Sequence, residues 1–149
     1  MKFLLLAATL AVLNSGAPDH SVNGNAPVPV RLAECPQKPN CVSSETRDAG
    51  RTVAPMQLKG DPVVAWDGIR ATISRLPRCE VVRFTSDYLH ATCKSRVFGF
   101  VDDLELLRDA VTDRVAIRSA ARTGYSDLGV NRRRVEKLRK LLRVKALID

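Results

Sequence analysis

The stretch EVVRFTSDYLHATCKSRVFGFVDDLELL, residues 80–107, decides the fold. Apolar and polar residues alternate along it, which is the period of a half-buried strand. Ser86-Asp87 marks a first turn, and pairing across it sets Phe84 opposite Leu89 and Val82 opposite Ala91. A second tight turn at Lys94-Ser95 sets Leu89 opposite Phe100 and Ala91 opposite Phe98. All these side chains share one face, as they must where one side of a sheet is buried. The third strand, VFGFVDDLELL, is followed by a loop at Arg108–Asp113 and a fourth strand, RVAIRSA. Counting back from that loop, Leu106 faces Val115, Leu104 faces Ile117, Asp102 faces Ser119 and Asp103 faces Arg118. The pattern predicts a four-stranded antiparallel meander.

Two helices flank the meander. Asp61-Pro62 supplies an N-cap and a first-turn proline. Val63, Trp66, Ile69, Ile73 and Leu76 then fall on one stripe, and Pro77 closes the helix. A second helix starts near Asn131, read as its N-cap, with Val135, Leu138, Leu141 and Leu142 as its buried stripe. Arg132, Arg133, Lys137, Lys140 and Arg143 occupy its other face. The expected class is therefore α+β, a four-stranded antiparallel meander with both helices packed on one face.

Around this lies a chain of 149 residues, 45% hydrophobic but only 5% aromatic, so the core is aliphatic and of one-domain size. Residues 1–17 read as a signal peptide. Lys2 precedes an apolar run, Phe3–Leu13, that falls short of the roughly 20 residues of a membrane span. Residues 18–34 read as a flexible linker and 35–145 as a single α+β domain. Residues 32–60 show no period, and Pro36, Pro39 and Pro55 point to an irregular arm.

Four cysteines in an exported chain suggest disulfides. Cys35 and Cys41 bracket PQKPN, a loop short enough to bring them together. Cys79 and Cys93 lie in neighbouring strands but on opposite faces of the simple register. A bridge between them needs a bulge or a three-residue turn, and three pairings are formally open. The spacing is not that of a zinc site, and neither His20 nor His90 completes one. No metal or cofactor is expected.

The segments CPQKPNCVSS (35–44), YLHATCKSRVFGFVDDLEL (88–106) and RSAARTGYSDLGVNRRRVEKLR (118–139) resemble hallmark segments of one family, the domain of unknown function 1499. The similarity runs, with gaps, from the first of these segments into the last helix. The resemblance implies an exported or membrane-associated bacterial protein, with related domains in plastids, and it carries no established activity or cofactor. Where Ala121 stands, the family pattern has serine, giving Arg-Ser-Ala-Ser-Arg. A hydroxyl that served chemistry there is missing from this chain.

The polar residues that close the meander form the candidate site. Asp102 is in phase with Phe98, Phe100, Leu104 and Leu106, on the apolar face. A buried carboxylate without partners costs several kcal/mol. Ser119, the loop amides of 121–127 and the start of the last helix are its expected donors. Asp103 and Glu105 point the other way, with Arg118 across from Asp103, Arg114 diagonal to Glu105, and His90 near Arg83 and Gly99. Arg122, Tyr125, Ser126, Asn131 and Arg132 crowd the strand-to-helix junction. The candidate ligand-binding set is thus Asp102, Asp103, Glu105, Arg118, Ser119, Arg122, Tyr125, Ser126, Asn131 and Arg132. It reads either as a polar corner that fixes the fold or as an anion pocket at a helix N-terminus.

The net charge of +8 favours anionic partners. In a periplasmic or envelope-associated protein these are an anionic ligand or a membrane surface rather than nucleic acid. No nucleophile elbow and no Gly-rich phosphate loop is present. The expectation is a non-catalytic exported envelope module that binds an anionic ligand or a protein partner. The alternative is a hydrolase or transferase using Asp102, Asp103 or Glu105.

Overall fold

A computed structural model describes residues 31–95 and 99–149. The expected signal peptide, the linker up to residue 30, His20 and the Phe98 pairing lie outside the described residues. The elements are β1 (Cys41–Ser43), β2 (Met56–Gln57), α1 (Pro62–Ile73), β3 (Cys79–Phe84), β4 (Tyr88–Lys94), β5 (Val101–Arg108), β6 (Arg114–Ala121) and α2 (Val130–Val144). They make an α+β fold whose sheet has six antiparallel strands rather than four. The order is β1-β6-β5-β4-β3, with β2 also on β6. The two extra strands come from the arm read as irregular. They cover the open edge of β6, which would otherwise present unpaired amides. At three and two residues they are too short to carry a readable period.

Both helices pack on one face of the sheet. Trp66, Ile69 and Ile73 of α1 meet Val135, Leu138 and Leu142 of α2 over Leu89, Leu104, Leu106, Val115 and Ile117. Trp66 also donates its indole N–H to the Thr85 carbonyl at 2.8 Å and stacks on Phe84. Val63 is not on the buried stripe; it is 69% exposed, and Ala65 takes the inward place. Asp61 caps α1 as expected, accepting from the amides of Val63 and Val64. The helix ends at Ile73, ahead of Pro77. Gly68 lets the C-terminal tail close in, since a Cβ there would stand 2.7 Å from Leu147 Cδ2.

The register departs from the sequence reading in three places. Phe84↔Leu89 holds, but a bulge between Val81 and Arg83 takes Val82 out of the ladder. Val81, not Val82, then faces Ala91, Val82 is 42% exposed, and Cys79 comes opposite Cys93. That bulge lets Cys79 bond to Cys93, alongside the expected Cys35–Cys41 bridge. Next, β4 meets β5 through a longer connection than a two-residue turn. Lys94 pairs with Val101, so Leu89 faces Leu106 and Ala91 faces Leu104 instead of the two phenylalanines. Gly99, at φ 64, turns the chain within that connection. Last, β5 and β6 slide by two residues. Leu106 faces Ile117, Leu104 faces Ser119, Glu105 faces Arg118 and Asp103 faces Ala120. The reason is a tighter loop, in which Asp109 accepts from the amides of Val111 and Thr112 and Asp113 takes φ 55.

Removing both Cys79 and Cys93, as serines, should lower stability under oxidising conditions by about 2–4 kcal/mol. Urea unfolding in the presence of a reductant should erase the difference from wild type, apart from the change of side chain. Leu138→Ala should cost about 2–5 kcal/mol by the same measurement.

Candidate functional site

On the helix side of the sheet, Asp102 is 3% exposed and pairs with Arg134 of α2 at 2.6 Å. Arg134 also donates to Asn131 Oδ1 and to Ser119 Oγ at 3.1 Å. Ser119 Oγ donates to Asn131 Oδ1 at 2.6 Å, and Asn131 Nδ2 donates to Asp127 at 2.7 Å and to the Asn40 carbonyl at 3.2 Å. The register places Ala121, not Ser119, directly across from Asp102. Asp102 and Ser119 are therefore joined through the guanidinium. Asn131 is not the N-cap of α2. Gly129 holds that position at φ 77, and the Asp127 carboxylate accepts from the amides of Gly129 and Asn131. An arginine near the N-terminus of a helix opposes the helix dipole. Here the charge of Asp102 beside Arg134, at the start of the second turn of α2, offsets that opposition. Through Arg134 and Asn131 the network ties β5, β6, α2 and the arm into one unit.

The opposite face carries two ladders of charge. Asp103 accepts from His90 Nε2 at 2.8 Å and from Arg122 through Nη2 at 2.8 Å and Nε at 3.0 Å. Burial works to raise its pKa, but the hydrogen bonds from His90 and Arg122 outweigh burial and hold the carboxyl well below the usual range. The same bond lifts Arg122 above its ordinary value. Glu105 accepts from Tyr88 Oη at 2.7 Å and from Arg118 Nη1 at 2.7 Å. Burial, then the Glu105 charge, pushes the Tyr88 phenol up, while Arg83 lies over its ring at 5.5 Å. Arg118 thus serves Glu105 rather than Asp103, a direct result of the two-residue slide. Arg114 is not diagonal to Glu105 but pairs in register with Gln57. His90 does stand beside Arg83, with Glu105 rather than Gly99 on its other side.

The remaining candidates lie apart from both groups. Tyr125 and Ser126 are exposed, and Ser126 Oγ accepts from the Leu128 amide. Arg132 clamps the arm, donating to the carbonyls of Gly50 and Thr52. The ten residues grouped from sequence therefore fall in four places. The sheet itself separates Asp102, Ser119 and Asn131 from Asp103, Glu105, Arg118 and Arg122.

A fifth place was not legible in the sequence. A groove of about 240 Å³ opens between the root of the β3–β4 hairpin and the first turns of α2. Leu76, Pro77, Val130 and the Cys79–Cys93 disulfide give it an apolar floor. Arg78, Lys94, Arg133 and Lys137 line it as well, all exposed, and none has an ion-pair partner among the described residues. Arg134 reaches it too but is already committed to Asp102. Arg78 and Lys94 flank the disulfide, and the Lys94 amide donates to the Arg78 carbonyl at 2.9 Å. Between 39 and 59 positions of chain separate these two cations from those of the helix, so only the folded sheet brings them together.

A family model described as Protein of unknown function (DUF1499) matches residues 31–142, from the arm to the last turns of α2. The chain belongs to this family. No curated protein and no solved structure matches it. In this DUF1499 chain, Ala121 falls directly across from Asp102, the carboxylate that pairs with Arg134.

Two outcomes test these assignments. Asp102→Ala strands a buried guanidinium and should cost about 3–5 kcal/mol in urea unfolding. Replacing Asp102 and Arg134 together, by leucine and methionine, should cost much less. Asp103 has a folded pKa below its unfolded value. It contributes stability that is complete above the unfolded value, near pH 4, and is lost as pH falls through the folded one. The stability gap between wild type and Asp103→Asn should therefore be widest at neutral pH and close in strong acid.

Proposed function

We propose that this domain is a non-catalytic, exported envelope module, and that it binds an anionic ligand in the groove between the hairpin root and α2. The observation that carries this reading is the cluster of Arg78, Lys94, Arg133 and Lys137 around an apolar floor, without carboxylate partners among the described residues. Like charges held together repel one another, and a bound anion relieves that repulsion. Arginine forks match phosphate and carboxylate oxygens two at a time, and lysine adds a mobile point charge. At about 240 Å³ the groove is smaller than the roughly 300–1,000 Å³ of a typical metabolite pocket, which suits a small charged head. Two disulfides fit an oxidising compartment. No described helix is long and apolar enough to cross a membrane.

Less supports a hydrolase or transferase. Asp102 is locked in an ion pair, Glu105 is held by Tyr88 and Arg118, and Asp103 is shifted away from the raised pKa that a general acid needs. Inorganic phosphate and pyrophosphate, titrated at constant ionic strength, should raise the melting temperature of the wild type. A ligand at ten times its Kd adds about 1.4 kcal/mol, or roughly 5 °C for a domain of this size. Arg133→Glu with Lys137→Glu should abolish the shift, whereas Arg132→Ala should lower the starting temperature and keep the shift. An absent shift, or one that survives the charge reversal, refutes the reading.

A further inference from the structure

The groove leaves two exposed apolar side chains without a role. Leu128 is 84% exposed and Tyr125 is 70% exposed, both in the loop between β6 and α2. Leu128 adopts φ 52, a conformation that leucine rarely takes. Ser126 Oγ accepts from its amide, and Arg133 Nη1 donates to its carbonyl. The loop is thus fixed in a form that holds a leucine out in water. Such a placement adds nothing to the core.

This loop shares one pole of the domain with the groove. Cys79 opposite Cys93, Lys94 opposite Val101 and Asp102 opposite Ala121 bring the start of β3, the end of β4, the start of β5 and the end of β6 to the same end of the sheet. The Arg122 amide donates to the Val101 carbonyl, so the chain enters the loop from that end. The carboxylates Asp102, Asp103 and Asp127 at this pole are taken by Arg134, by Arg122 and His90, and by the α2 amides. Glu80 is exposed beside Cys79. Cations around the groove therefore dominate the surface next to the two apolar tips.

We infer that this pole docks on an anionic phospholipid surface. The inference rests on the groove being an anion site and names the phosphate of a lipid headgroup as the anion. Arg78, Lys94, Arg133 and Lys137 face the headgroups, while Leu128 and Tyr125 enter the boundary between headgroups and acyl chains. Single apolar side chains ringed by cations match such a boundary, where tyrosine is also favoured. An acidic protein would instead have to supply separate apolar recesses for each tip.

Vesicle co-sedimentation of the whole chain tests this, with all variants made in the same chain so that any contribution of residues 1–30 is common to them. The wild type should bind vesicles of phosphatidylglycerol mixed with phosphatidylcholine far more than phosphatidylcholine alone, and less as salt rises. Leu128→Asn with Tyr125→Ser should weaken that binding about ten-fold. Asparagine tolerates positive φ, so the melting temperature and its response to phosphate should stay as in the wild type. Arg133→Ala with Lys137→Ala should weaken vesicle binding roughly twenty-five-fold, about five-fold per cation. Equal binding to neutral vesicles would overturn the inference. So would undiminished binding by the Leu128/Tyr125 variant, or polyglutamate binding as tight as vesicle binding in both chains, which points to an acidic protein. A phosphate shift without vesicle binding sinks the lipid and spares the groove, and loss of both sinks both.

Discussion

The ion pair between Asp102 and Arg134 is the contact on which the rest of the arrangement depends. It lies near the N-terminal end of α2, where a helix dipole disfavours a cation. It also lies in a layer where an isolated carboxylate is disfavoured still more. Each charge is tolerable only because of the other, and Ser119 and Asn131 accept from the same guanidinium. A buried pair of this kind adds little net stability over an apolar core, but its directionality selects one docking of helix on sheet. From that docking follow the groove, one wall of which is the first two turns of the same helix, and the clamp on the arm. Arg132 and Arg139 each donate to backbone carbonyls between Gly50 and Pro55.

The faces of the sheet were legible in the sequence and the pairings were not, for one physical reason. Side chains alternate with a period of two. The β4–β5 pairing differs from the simple reading by six residues, and the β5–β6 pairing by two. Even displacements leave every residue on its own face. Leu89, Leu104, Leu106 and Ile117 are therefore in the core as expected, although their neighbours changed, and Asp102 is buried among them. The one odd displacement is the bulge at Val82, which carries Cys79 across to the face of Cys93. Loop chemistry decides these displacements. Asp109 and Gly99 act through hydrogen bonds and left-handed geometry that hydrophobic alternation does not encode.

The candidate site was legible only in part. Asp102 with Ser119 and Asn131 is one neighbourhood, and Asp103 with Arg122 and His90 is another on the far side of the sheet. The alternation of strand side chains already set Asp102 and Asp103 on opposite faces, and only their nearness in sequence joined them in one candidate set. The groove cations carried no local signal. Lys94 read as a turn residue, Arg133 and Lys137 as the polar face of the last helix, and nothing marked Arg78. Membership of the DUF1499 family and the two disulfides support the frame, and the charge pattern of the folded surface supports the binding reading.

The closing of the β6 edge has a temporal side. β1 and β2 are made first, yet both find their partner in β6, some sixty to eighty residues later, as Cys41 opposite Ala120 and Met56 opposite Val115 require. Until β6 has been made their partner in the sheet does not exist, and contacts so distant in sequence form slowly. The Cys35–Cys41 bridge spans only six positions and waits for no such partner. Oxidation can therefore shape the arm before the sheet exists to receive it, so that the last edge is sealed by a preformed loop rather than a free strand.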